Sequence, residues 1–167
     1  MPRLRKTQLN PPALLFVCAL NTCRSIVGHA VFEYIKNQTS LTIDIGSAGI
    51  HADDGHPCDP MIKEVASRRG YDLSAYRSTP LITLNPKSYS RVFIFEHAHY
   101  EPVRRWMGEA NEPEYIMTYS EYFGNQEVLM QETDNAMNVY THLFDLIEDG
   151  CLGFYNQLLI ETKNDDL

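Results

Sequence analysis

The stretch Leu15-Phe16-Val17-Cys18-Ala19-Leu20-Asn21-Thr22-Cys23-Arg24-Ser25 decides how the chain is read. An apolar run ends in Cys18, Arg24 stands six positions later, and Ser25 follows at once. Ala13–Cys18 is apolar throughout, as expected of a strand buried on both faces. From Ser25, where a helix N-cap would stand, Val27, Val31, Tyr34 and Ile35 fall at helical spacing. The residues between form a tight loop with a nucleophile at one end and a fixed cation at the other. A loop that opens a helix turns its backbone N–H groups inward and makes a bowl for a tetrahedral oxyanion. The same partial charge favours a cysteine thiolate. These features describe a phosphate-ester site.

Outward from this stretch, strand-like and helix-like segments alternate. Leu41–Ile45 is rich in strand formers and leads into Gly46-Ser47-Ala48-Gly49, expected to be a turn. Ile50 to Pro60 holds Gly55, Pro57 and Pro60 and reads as a loop. Met61 to Arg69 reads as a helix stopped by Gly70. Arg91–Phe95 is a third strand, followed by a helix through His97–Met107. Tyr115–Tyr119 is a fourth strand. A final long helix carries Val139, Leu143, Leu146, Ile147 and Phe154 as its apolar stripe. This alternation predicts an α/β fold of three layers, αβα, around a central four-stranded parallel sheet. Ligands in such folds sit at the carboxyl ends of the strands, where Cys18 would lie.

The 167 residues fit one domain, read as 13–160 between a basic tail, 1–12, and a polar tail, 161–167. A net charge of −8 argues against a nucleic-acid partner, so an anionic substrate must be drawn by a local positive site. The cysteines at 18, 23, 58 and 151 show no Cys-x2-Cys spacing, which argues against a metal site and for a reduced, cytoplasmic protein. The eight largely apolar residues from Ala13 to Leu20 are too few for a signal peptide or a membrane span.

Val17-Cys18-x-x-Asn21-x-Cys23-Arg24-Ser25 resembles the phosphate loop of the low-molecular-weight protein tyrosine phosphatases. Ser47-Ala48-Gly49 followed by Gly55-x-Pro57-x-Asp59-Pro60 is similar to that family's next motif, with the loop length of its bacterial members. Phe95-Glu96 lies where the family has Met-Asp or Met-Glu after its third strand. The likeness runs from about Leu14 to about Leu159. It implies a phosphotyrosine phosphatase I-like fold, no metal and no cofactor. The implied partners are a phosphorylated protein or peptide and inorganic phosphate or other oxyanions.

The resemblance also implies roles. Cys18 would attack phosphorus and form a cysteinyl-phosphate that water hydrolyses. Ala19, Leu20, Asn21, Thr22, Cys23 and Arg24 would cradle the phosphate, with Arg24 as a bidentate fork. Ser25 would donate to the thiolate, Asn21 would hold the loop's shape, and Ser47 would brace it from the next strand. Cys23 is packing or a reversible disulfide partner of Cys18. His51 and Asp53 would line the substrate site.

The family's general acid is the Asp of an Asp-Pro pair, and this chain has no Asp-Pro after residue 60. Matching by length from Phe95-Glu96 and from Val139-Tyr140 places Glu127 there. Matching by Tyr122-Phe123-Gly124 places Ser120 there instead, beside Glu121. Leu20 stands where Gly is common, Ile26 where Pro usually opens the helix, and Asp53 where the family presents an apolar residue. Thr22 is a feature of the protein arginine phosphatase branch. The reading is a phosphotyrosine phosphatase; the alternatives are an arginine phosphatase or a phosphate-binding module without an effective acid, and, last, an arsenate reductase using Cys58 or Cys151.

Overall fold

A computed structural model describes residues 12–108, 111–124, 126–129 and 135–165. Along them run β1 (Ala13–Cys18), α1 (Arg24–Gln38), β2 (Asp44–Gly49) and α2 (Pro60–Arg68). These are followed by β3 (Arg91–Ile94), α3 (Tyr100–Met107), β4 (Glu114–Tyr115) and α4 (Ala136–Asp165). All strand pairs are parallel and the order is β2-β1-β3-β4. The order reverses between β1 and β3, so the loops leaving those two strands diverge and open a crevice at their carboxyl ends. Cys18 ends β1, and Glu96 comes two residues after β3.

The sheet is anchored by β1. Leu14 to Val17 are fully buried, which is worth about 1.5–3 kcal/mol for each large apolar side chain. Leu14 and Phe16 face a core shared with α1, α2 and α4, where Phe16 stacks on Phe93 with centroids 5.4 Å apart. Leu15 and Val17 face a smaller core with Val92, Ile94 and Val103 of α3. This is the expected three-layer arrangement, with unequal layers.

Four boundaries differ from the sequence expectation. The segment Gly46 to Gly49 is not a turn; it is the body of β2, paired from Leu15↔Gly46 to Cys18↔Gly49. A Cβ on Gly49 would stand 2.8 Å from Ala19 O and from Asn21 N, so the missing side chain lets the loop after β1 lie against this strand. Helix α1 begins at Arg24 with Cys23 at the cap, so Ser25 is inside the helix and caps nothing. The fourth strand has two residues, Glu114 and Tyr115, and Ile116–Tyr119 is a 3₁₀ turn. That turn lies so close to α4 that a Cβ on Gly153 would collide with Tyr119 O. Finally, α4 continues to Asp165, so residues 161–165 extend the helix instead of forming a tail. The basic tail lies outside the described residues, apart from Pro12, whose carbonyl accepts from Asp44 N.

Helix α2 shows local sequence and structure in agreement. Asp59 caps it, with Oδ1 accepting from Met61 N at 2.8 Å, Pro60 opens it, and Gly70 follows at φ +85°. No helix among the described residues is long and apolar enough to cross a membrane.

Candidate active site

The loop from Cys18 to Arg24 is turned inside out relative to ordinary chain. Its carbonyls point outward to neighbours: Cys18 O accepts from Ile50 N at 2.9 Å, and Ala19 O accepts from His51 N at 2.8 Å. Thr22 O accepts from Asp59 N at 2.8 Å, and Cys23 O from Val27 N at 3.1 Å. The N–H groups from Ala19 to Cys23 have no partner among the described residues. Several converging donors at a helix N-terminus make an anion site.

Asn21 makes this turn possible. Its φ of +54° is the only positive value among the described non-glycine residues, and asparagine tolerates that region better than most side chains. It is wholly buried. Its Oδ1 accepts from Thr79 N at 2.8 Å, and its Nδ2 donates to Ser25 Oγ at 2.7 Å. Because Asn21 fills an acceptor site on that hydroxyl, the Ser25 proton is free to point at Cys18. The two atoms, Ser25 Oγ and Cys18 Sγ, are 3.0 Å apart. A hydroxyl so placed donates to a thiolate.

Arg24 is fixed from one side only. Its Nη1 donates to Glu96 Oε2 at 2.9 Å and to the Val128 carbonyl at 3.2 Å. Its Nε and Nη2 have no partner among the described residues. That edge is the one a guanidinium offers to two oxygens of a carboxylate or phosphate. Glu96 is thus a site residue that the sequence reading placed in a motif without assigning it a task. The Val128 carbonyl left no trace in the sequence, since any residue carries one.

The other expected residues are placed as follows. Cys23 sits behind the loop at the start of α1; burial, with Cys18 and Asp59 nearby, pushes its thiol well above the usual range. Leu20 directs its side chain outward, 56% exposed, while Ile26 is fully buried in the main core. Ser47 does not reach the loop. Its Oγ bonds His29 Nδ1 at 3.0 Å, and the brace expected of it comes from the Thr79 amide. His51 is tied to the loop through its backbone, with an exposed side chain. The Asp53 carboxylate is 89% exposed and lies 3.9 Å from His56 Nε2.

Glu127 is exposed, and its Oε1 accepts from the His97 amide at 3.0 Å. It lines a cleft of about 220 Å³ with Phe95, Tyr115 and Met117, one residue from the carbonyl that holds Arg24. Ser120 Oγ bonds the Asp149 carboxylate of α4 and accepts from Phe123 N at 2.9 Å, so it faces away into its own turn. Glu121 is exposed. Among the described residues no group of three or more His, Cys, Asp or Glu side chains is placed to hold a metal.

The family model for low molecular weight phosphotyrosine protein phosphatases matches residues 13–164. A protein-arginine-phosphatase of Bacillus subtilis is 25% identical over 153 residues, covering 91% of this chain and 97% of the relative. The low molecular weight protein-tyrosine-phosphatase Etp of Escherichia coli is 23% identical over 141 residues, 84% of this chain and 90% of the relative. The crystal structure of a protein tyrosine phosphatase from Entamoeba histolytica superposes with a TM-score of 0.77 at 22% identity, covering 93% of this chain and 99% of that one. With a match across both the loop at Cys18 and the long final helix, the chain belongs to the low molecular weight phosphotyrosine protein phosphatase family.

Proposed function

We propose that the protein hydrolyses phosphotyrosine on proteins through Cys18. The observation that carries this reading is the 3.0 Å approach of Ser25 Oγ to Cys18 Sγ, inside a loop whose N–H groups converge beside the free edge of Arg24. The thiolate attacks phosphorus in line with the leaving oxygen, which departs with a proton. Water then attacks the cysteinyl-phosphate, releasing inorganic phosphate and restoring the thiolate. The loop amides and the Nε–Nη2 edge of Arg24 receive the equatorial oxygens in both steps. Nothing in this sequence of steps calls for a metal or cofactor. We assign the proton donor to Glu127, which must leave the His97 amide to reach the leaving oxygen, and the protein to the cytoplasm.

A second substrate, phosphoarginine, is favoured by Thr22 in the loop and by the arginine phosphatase likeness that spans 91% of the chain. An arsenate reductase is disfavoured because Cys58 and Cys151 are both buried, with Sγ atoms directed at Leu73 O and Gly28 O. Turnover of an aryl phosphate, then of phosphotyrosine and phosphoarginine peptides, tests the reading. Aryl phosphate hydrolysis lost in Cys18→Ser supports it. Vanadate binding without any turnover would replace it with a phosphate-binding module.

A further inference from the structure

His99 closes the 3₁₀ turn His97–His99 that leads into α3, and it is 2% exposed. Neither ring nitrogen has a hydrogen-bond partner among the described residues. A buried polar group left in that state is destabilising, so a histidine kept only for packing would be better replaced by an apolar residue. Its surroundings show what it is aimed at. His99 Nε2 lies 3.3 Å from Glu96 Oε1, close but not aligned as a hydrogen bond. The other oxygen of the same carboxylate, Oε2, holds Arg24 Nη1 at 2.9 Å. Glu96 therefore stands between the imidazole and the guanidinium.

This arrangement poses an electrostatic problem once an oxyanion sits in the loop. The anion neutralises Arg24 from its free edge, and the cation that held Glu96 in place is then shared. A carboxylate beside a bound dianion is repelled, and the repulsion is strong where side chains are mostly removed from water. Glu96 and Arg24 have side chains only 20% and 11% exposed. If Glu96 withdraws, Nη1 loses an anchor and the fork loses its aim.

We propose that His99 is a positioning residue that closes on Glu96 when an oxyanion enters the loop, keeping the carboxylate on Arg24 Nη1 and the Nε–Nη2 edge directed into the loop. A neutral imidazole with its proton on Nε2 is the donor this needs. Burial, with Arg24 adding to it, holds the His99 pKa down to about 4 against the pull of Glu96, with the His51 ring a further positive influence. The group is therefore neutral at physiological pH, and its unused N–H is reserved for the loaded state. The inference rests on the oxyanion-binding reading of the loop.

The test uses orthovanadate as the probe. In protein with ¹⁵N-labelled histidine, saturation with vanadate shifts the His99 Nε2 resonance and slows exchange of its proton with solvent. In Glu96→Gln that shift is reduced or lost. His99→Leu weakens vanadate binding about tenfold, His99→Gln restores most of it, and the double variant with Glu96→Gln binds no worse than Glu96→Gln alone. Unchanged ¹⁵N shifts at saturation, or fully additive losses in the two variants, would overturn the proposal. If His99→Leu does not fold, the labelled wild type and His99→Gln still decide it. Failure of wild-type protein to bind vanadate at all would instead overturn the oxyanion-binding reading.

Discussion

Residues 18–25, which carry Arg24, and residues 120–124 and 126–129, which meet it through Val128, are built on opposite plans. In the first segment the turn residue Asn21 is wholly buried and bonded at both ends of its side chain, and three loop carbonyls are held by amides from other segments. In the second, Glu121, Tyr122, Gln126, Glu127 and Leu129 are exposed, and its described residues are held to the rest of the domain at Ser120, Tyr122, Glu127 and Val128. Val128 N donates to Phe95 O at 3.0 Å, and its carbonyl receives Arg24. Binding and attack are assigned to the over-determined wall, and proton delivery to the exposed one. Substrates that differ in their need for a proton should therefore feel the second wall very differently, while all of them depend on the first.

The strongest way to break this contrast is at the nucleophile. Cys18→Ser should lower aryl phosphate turnover on the order of 10⁴-fold, as removal of a nucleophile commonly does, while phosphate still binds; steady-state kinetics with a binding titration checks both. Asn21→Ala comes next. It leaves Thr79 N and Ser25 Oγ short of a partner and puts alanine at φ +54°. The expected loss is about 3 kcal/mol in denaturant unfolding, from strained backbone and unmade buried bonds. Asn21→Gly, which relieves only the backbone, should lose less.

Acid sharpens the contrast through His29, which lies in α1 against Ser47 and edge-on to Tyr76. Burial, with Lys36 adding to it, lowers its pKa to about 4. The unfolded chain binds this proton near pH 6.5 and the folded one does not. Its stabilising contribution is whole above pH 6.5 and falls as pH drops towards 4, by at most about 1.4 kcal/mol per pH unit. Melting curves across that window should be flatter for His29→Asn. The smallest effect belongs to the second wall. Glu127→Gln should cost less than about tenfold with a good aryl leaving group and up to about 10²-fold with a poor one, in line with what general acids supply. A uniform loss across leaving groups would show that Glu127 is not the acid.

How much of this was legible in the sequence follows from how far apart the interacting residues stand. Strand β1, its loop and α1 are contiguous, so apolar run, spacing and helical period all sit in one window. Gly70 announced the end of α2 for the same reason, whereas Asp59 and Pro60, which cap and open that helix, read as the end of a loop. Gly46 to Gly49 looked like a turn because glycine usually marks one, whereas here it marks close approach of the loop backbone. The short β4 misled because Ile116–Tyr119 is apolar for contact with α4, not for pairing in the sheet. Glu96 and Val128 join Arg24 across 72 and 104 positions, a distance over which local pattern carries no signal. The one available cue to His99 was two histidines directly after a buried strand.

The ties of the loop to Thr79, Glu96 and Val128 set an order of events during synthesis. All three lie C-terminal to the loop, which itself ends by Ser25. As a nascent chain emerges, Cys18 and Arg24 come out early, but the contacts that shape them are of long sequence separation and form late. Until Thr79 has docked, the turn at Asn21 lacks its brace, and until Val128 has docked, Arg24 lacks one of its two anchors. The topology thus delays assembly of the reactive centre until most of the domain has emerged and can fold around it.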